Sequence, residues 1–426
     1  MLEGGASTLL PAAPGCTSSP MSNEARRARI ATTLVFLLNG ALLGVWATEV
    51  APLRERLALS AGVLGGVLLC GAAGALLAMP LSARLIARFG TGQVIQAGAA
   101  ATCLALAGAV AAPTLWALCL CLLGFGAGFG TVDVAMNAEA VRVEQRAGRP
   151  VLSSVHGMWS LGSFCGSAGG AALLGVASPP VQVALVAGAC GTALLGAGAM
   201  LRRPPGEAAK AAAHEVGAGM SPGGRGSVQD MPERGGAGLW ARPGLLLTGA
   251  MMSLSFAVEG AVLDWGAVYL RDVRHLPVAS AAAGFSAFSI TMMVLRFGGD
   301  RVRARLGDGW VLRAALGATA GFALLLWAAP LWLSLVGFAL AGAGVANVVP
   351  VLFGLAGNQG GAASGGGTAA AVGVASILGY AGVLGGPPMF GLIAQASSVG
   401  TALATAGALC AAVGLAGGWT VRLSGR

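Results

Sequence analysis

The chain has 426 residues, of which 56% are hydrophobic and only 10% charged, and its mean hydropathy is +0.79. That balance excludes a soluble domain of this size, which would carry a far more charged surface. The net charge of +9 does not point to nucleic acid, because the basic residues recur at the ends of apolar stretches instead of gathering on one face.

Twelve apolar stretches of about twenty residues follow one another, at approximately 30–50, 61–80, 93–112, 114–138, 151–176, 180–201, 243–269, 278–296, 311–328, 330–352, 367–393 and 399–421. Each is long enough to cross the hydrocarbon core of a bilayer as a helix. The pattern predicts an all-α polytopic membrane protein with twelve transmembrane helices. When the connecting segments are assigned to alternating sides, only Arg54, Arg56, Arg271 and Arg274 of the 25 Lys and Arg fall on one side. The rich side holds both termini and reads as cytoplasmic. The 71 glycines suit helices that approach closely in lipid.

Residues 1–29 lack the layout of a signal peptide and read as a disordered cytoplasmic tail. Residues 202–242, rich in Gly, Ala, Pro and charge (GGRGSVQDMPERGGAG), read as a flexible cytoplasmic linker. The linker separates an N-terminal six-helix bundle (30–201) from a C-terminal one (243–426). At an offset of 217, SARLIARFGTG (82–92) lies over GDRVRARLGDG (299–309), and Leu161, Gly162 and Gly169 lie over Leu378, Gly379 and Gly386. Two pseudo-symmetric bundles with a site between them are the expectation. The eight cysteines show no CxxC spacing; seven read as small core hydrophobes, and neither a metal site nor a cofactor is implied.

RFGGDRVRARLG (296–307) resembles the signature loop of the major facilitator superfamily, with Asp300, Arg301 and Arg305 in its charged positions. The first-half copy, PLSARLIARFG (80–90), departs from it, with Ala83 where an Asp belongs. GFGTVDVAMNAEAV (128–141), RPVLSSVHGMWSLG (149–162), NVVPVLF (347–353) and GYAGVLGGPPMFG (379–391) are similar to a little-characterised bacterial branch related to the fucose–proton symporters. The resemblance implies a multi-pass protein of the bacterial inner membrane that works as a monomer by alternating access. It also implies that Asp133 stands where those symporters carry a proton-coupling carboxylate.

An acid within the bilayer costs on the order of 2.5–3.5 kcal/mol on insertion scales, so each one needs a reason. Gly126, Gly130, Asp133 and Asn137 recur every three or four residues, on one helical stripe. Asp133 then reads either as a proton carrier or as an interfacial acid paired with Arg142 or Arg146. His156 sits at similar depth and reads as a proton relay or as a structural hydrogen-bonding group. Asn39 and Trp46, seven apart, suit a polar ring-shaped solute, or else bridge helices. Glu259 shares a face with Ser255 and reads as a cavity acid; Glu49 reads as a solvated outer residue. Asn137, Trp159, Asn347 and Tyr380 complete the candidate solute contacts. Pro350 and GGPP (385–388) are expected to shape their helices. Asp300, Arg301 and Arg305, with Arg303, are expected to form a cytoplasmic ion-pair gate.

No GxxxxGK[ST] sequence is present, so ATP hydrolysis is not expected to supply the energy, and the reading is a transporter, not an enzyme. The expected partners are a small solute, protons and the lipid bilayer, with no nucleic acid. The leading expectation is proton-coupled transport of a small polar solute such as a sugar. The alternatives are a proton-driven exporter of drugs or secondary metabolites and a membrane solute sensor that moves nothing.

Overall fold

The computed structural model describes residues 23–59, 61–173, 178–202, 238–276, 278–327, 330–360 and 365–424. Most of the expected N-terminal tail and linker lie outside these residues, as does Cys16. The helices run, in chain order, α1 (Asn23–Arg56), α2 (Ala61–Phe89), α3 (Thr91–Ala111), α4 (Leu115–Ala147), α5 (Leu152–Leu173) and α6 (Pro179–Met200). They continue with α7 (Pro243–Val268), α8 (Val278–Leu306), α9 (Asp308–Trp327, stepped at Ala314), α10 (Leu331–Gln359, stepped at Ala346–Asn347), α11 (Gly365–Ala396) and α12 (Val399–Ser424). A π-helical turn, Tyr269–Val273, extends α7. Among the described residues, ten of these helices are long and apolar enough to cross a membrane; α5 and α8 are the other two.

Several helices outrun their apolar cores at the arginine-rich end. α1 begins at Asn23 instead of 30, α4 continues to Ala147, and α8 continues to Leu306. Charge ends a membrane span but not a helix; caps and chain breaks end helices. α4 stops at Gly148 in the left-handed conformation (φ 60°), and α8 stops before Gly307 (φ 79°), where a side chain would strain the backbone.

The described helices pack as two six-helix bundles, α1–α6 and α7–α12. Within the first, Gly162 of α5 lies against the Leu37 carbonyl of α1, and Gly126 of α4 against the Gly71 carbonyl of α2. A methyl group at either glycine would collide with backbone, so these positions set how closely the helices meet. The outer surface is apolar: Leu77, Leu104, Leu120, Leu392 and Leu415 stand exposed. In water such a surface would aggregate; in a bilayer it is the face that lipid covers.

Two arginines at the arginine-poor end reveal the internal symmetry. Arg56, at the end of α1, donates to the carbonyls of Val110 (2.6 Å) and Ala112 (2.8 Å) at the C-terminus of α3. Arg274, just past α7, donates to Leu325 and Leu326 (3.1 Å each) at the C-terminus of α9. Each cation satisfies the orphan carbonyls and the negative dipole end of the third helix in its own half. These exceptions to the charge bias therefore have a structural task.

Candidate functional site

A cavity of about 350 Å³ lies between the bundles, walled by α1, α2, α4 and α5 on one side and α7, α8, α10 and α11 on the other. Its walls are aromatic. Trp46, Phe125 and Phe129 form a run with ring centroids 5.8 Å apart on the first bundle, and Phe256 meets Tyr380 edge-on at 6.2 Å on the second. Its polar lining includes Asp133, His156, Glu259 and Arg296.

Asp133, Asn137 and His156 form a continuous hydrogen-bonded chain. The Asn137 amide, fully buried, donates to the Asp133 carbonyl (2.9 Å) and to Asp133 Oδ1 (3.3 Å). With the amide nitrogen so engaged, Asn137 Oδ1 is the acceptor for His156 Nε2 at 3.1 Å, which assigns the proton to that nitrogen. The imidazole is stacked on Phe353 (5.6 Å) and edge-on to Phe36 (5.0 Å). Arg142 does not reach Asp133; it donates to Glu139 (2.9 Å) and Thr91 (2.6 Å).

The expected solute amides have other partners. Asn39 is buried and accepts from Trp159 Nε1 at 3.1 Å, holding the indole in the cavity wall. Asn347 donates to the Leu295 carbonyl (3.2 Å) and packs on Gly299. Neither amide lines the cavity, nor does Asn137, whereas Trp46, Trp159 and Tyr380 do. Glu49 is not solvated: it is buried and accepts from Gln182 Nε2 of α6 at 2.8 Å.

Arg296 is the residue that sequence reasoning missed. It is 4% exposed, at the floor of the cavity. Pro350 has no N–H, so the carbonyl of Ala346, four residues earlier, loses its helical donor where α10 steps. Arg296 Nε supplies a replacement at 3.0 Å. Its Nη1 donates across the bundle interface to Ser160 Oγ (2.7 Å), and its Nη2 lies 3.7 Å from Glu259 Oε1. The available signal was the arginine that opens the signature segment 296–307 and also ends the apolar stretch 278–296.

Below this floor the bundles are joined at the arginine-rich end. The first N–H groups of α5 have no intrahelical acceptors, and two carboxylates take them. Glu144 of α4 accepts from Val151 (2.8 Å) and Leu152 (3.1 Å). Asp300, from the opposite bundle, accepts from Ser153 and Ser154 at 2.9 Å each. Arg303 then bridges Glu144 and Asp308, and Gln145 donates to Asn358 at 3.0 Å. Arg301 and Arg305 are exposed, so the bridging arginine is Arg303, and Glu144 joins the network unforeseen. Where Ala83 replaces the expected acid, α2 meets α11 through small groups: a methyl on Gly373 would lie 3.9 Å from Ala83 Cβ.

Two helical bundles in a membrane, closed at one end over a central cavity, define a polytopic transporter fold. The chain belongs to the Major Facilitator Superfamily, whose family model matches residues 30–370, and it is a secondary transporter of that family. It is 33% identical over 333 residues to an uncharacterized MFS-type transporter of Yersinia pestis, covering 78% of this chain and 80% of that one. It is 34% identical over 320 residues to an uncharacterized transporter of Sinorhizobium fredii, covering 75% and 79%. Among solved structures it is similar to FucP, an Escherichia coli fucose:proton symporter, in the outward conformation: TM-score 0.68, 14% identity, 93% of this chain and 99% of that one.

Proposed function

We propose that the protein is a proton-coupled secondary transporter in which Asp133 carries the proton. The carrying observation is the chain from Asp133 through Asn137 to His156, set at the base of a cavity that is closed beneath it. Asp133 faces the solute space, while its hydrogen-bond partner leads into the bundle. A proton gained or lost there is felt at once by solute and by α5, whose N-terminus is half of the closed gate. The cavity is on the side away from the arginine-rich end. If that end is cytoplasmic, as the charge bias implies, the arrangement is outward-facing. In that orientation both termini and the 202–242 linker lie in the cytoplasm and the two bundles are the rocking bodies. FucP, similar in fold and named as a proton symporter, supports coupling of this kind.

The assay is internal pH in proteoliposomes holding the full chain, with sugars and organic cations added outside. Solute-dependent proton movement that disappears in Asp133→Asn supports the reading. Solute flux without proton movement in the wild type overturns the coupling. Saturable solute binding with no flux at all points to the sensor class.

A further inference from the structure

The polar groups of the cavity are unequally committed. Arg296 has protein partners at all three nitrogens: the Ala346 carbonyl, the Ser160 hydroxyl and the Glu259 carboxylate. Being nearly inaccessible as well, it has little left to offer an anionic solute. The carboxylates differ. Asp133 receives one side-chain donor, on Oδ1 from Asn137. Glu259 is the counter-ion of Arg296: its buried Oε1 stands 3.7 Å from Arg296 Nη2 and makes no hydrogen bond among the described residues, so one acid of the two has its charge balanced. Both acids line the cavity.

The rest of the lining presents few hydrogen-bonding groups. Trp159 has its N–H on Asn39, and His156 Nε2 is held by Asn137. The amides suited to sugar hydroxyls point elsewhere. Beside Tyr380 and Trp46, which carry one O–H and one N–H, what remains is ring faces on both walls, each with a negative quadrupole, and these attract a desolvated cation. A cavity of 350 Å³ falls in the range that encloses a drug-sized ligand.

We infer that the solute is an organic monocation: an amine or quaternary nitrogen on a flat apolar body, with its charge on Asp133 and Glu259 and its body between the aromatic walls. This rests on the transporter reading above and names its substrate class. Proton and cation then compete for the negative charge of one cavity, so binding of one opposes binding of the other. The charged and titratable groups that line the cavity with Asp133 are His156 of α5 on its own wall and Glu259 of α7, Arg296 of α8 and Tyr380 of α11 on the opposite one.

The test is binding of ethidium, a flat aromatic monocation, to the full-length protein in detergent, read by fluorescence at pH 8 and pH 5.5. Saturable binding at pH 8, at least tenfold weaker at pH 5.5 and displaced by tetraphenylphosphonium but not by fucose or xylose, is the expected result. Asp133→Asn and Glu259→Gln should each weaken it at least tenfold. Phe125→Leu should weaken it severalfold and keep its pH dependence, which guards against a misfolded acid variant. Binding that is absent, insensitive to pH or unchanged in both acid variants overturns the inference. Proteoliposomes separate the two ideas. Sugar-driven proton movement without ethidium binding refutes the cation and keeps the transporter. Ethidium binding with no flux keeps the cation site and refutes transport.

Discussion

Asp300→Asn isolates the bond that exists only while the arginine-rich end is closed. The carboxylate accepts two N–H groups of the opposite bundle at 2.9 Å each, whereas the Glu144 bonds to Val151 and Leu152 stay within one bundle and survive opening. Asparagine keeps one acceptor oxygen and turns an amide donor toward the other N–H. The variant loses one charge-assisted hydrogen bond, worth about 1.5–3 kcal/mol. It also loses a negative charge at a helix N-terminus, worth about 0.3–1 kcal/mol. Partial solvent access favours the lower values, so the closed state should lose about 2–3 kcal/mol. At 1.4 kcal/mol per factor of ten, the open-to-closed ratio rises roughly 30- to 150-fold. Spin labels at Arg146 of α4 and Arg305 of α8, both exposed, would report it by pulsed dipolar spectroscopy in a background without native cysteines. A new long-distance population is expected, with solute affinity in the closed-end state little changed. An unaltered distance distribution in a folded variant would refute the gate.

Other consequences follow from the same contacts. Asp133→Asn should abolish solute-dependent proton movement, measured as internal pH in proteoliposomes; proton movement retained in that variant would end the proton-carrier assignment. Gly126→Ala places a methyl against the Gly71 carbonyl and should destabilise the α2–α4 contact by roughly 1–3 kcal/mol, seen as a lower unfolding temperature in detergent. Gln182→Leu removes the only described hydrogen bond of buried Glu49 and should cost roughly 1–3 kcal/mol, while Gln182→Glu costs more by setting two acids together; an unchanged melting temperature in both would contradict the contact. Pro350→Ala returns an N–H to the Ala346 carbonyl and so competes with Arg296 Nε. It should straighten α10 and slow turnover more than it changes solute affinity, and a pure affinity change would count against that role.

The gate also shows how an asymmetric pair of loops can serve a pseudo-symmetric fold. Asp300 caps α5 across the interface, while at the equivalent position in the first half Ala83 leaves room for α2 and α11 to meet closely. Closure thus combines polar bonds on one side of the interface with small-group contact on the other. Arg296 stands between gate and cavity, and it is the one described side chain that touches Glu259, the α10 step and the opposite bundle together.

The membrane class, the twelve helices and their division six and six were legible in the chain, as was the recurrence of Gly126, Gly130, Asp133 and Asn137 along one helix. Hydropathy and charge act locally, on windows of about twenty residues, and the bilayer imposes that length on each. Helix ends were less legible, since the arginine-rich extensions of α1, α4 and α8 are polar yet remain helical. Only the tertiary structure decided which partners the polar residues take. An amide such as Asn39 or Asn347 has the same sequence pattern whether it faces a solute or a neighbouring helix, and the rotation of each helix about its axis settles which. Glu144 sits outside the apolar core in sequence, yet it satisfies a helix terminus brought to it by a turn. Arg296 reads as a span boundary until the Pro350 step delivers an unpaired carbonyl beside it. Those pairings depend on orphan backbone groups from distant segments meeting charged side chains, and no one-dimensional pattern contains that information.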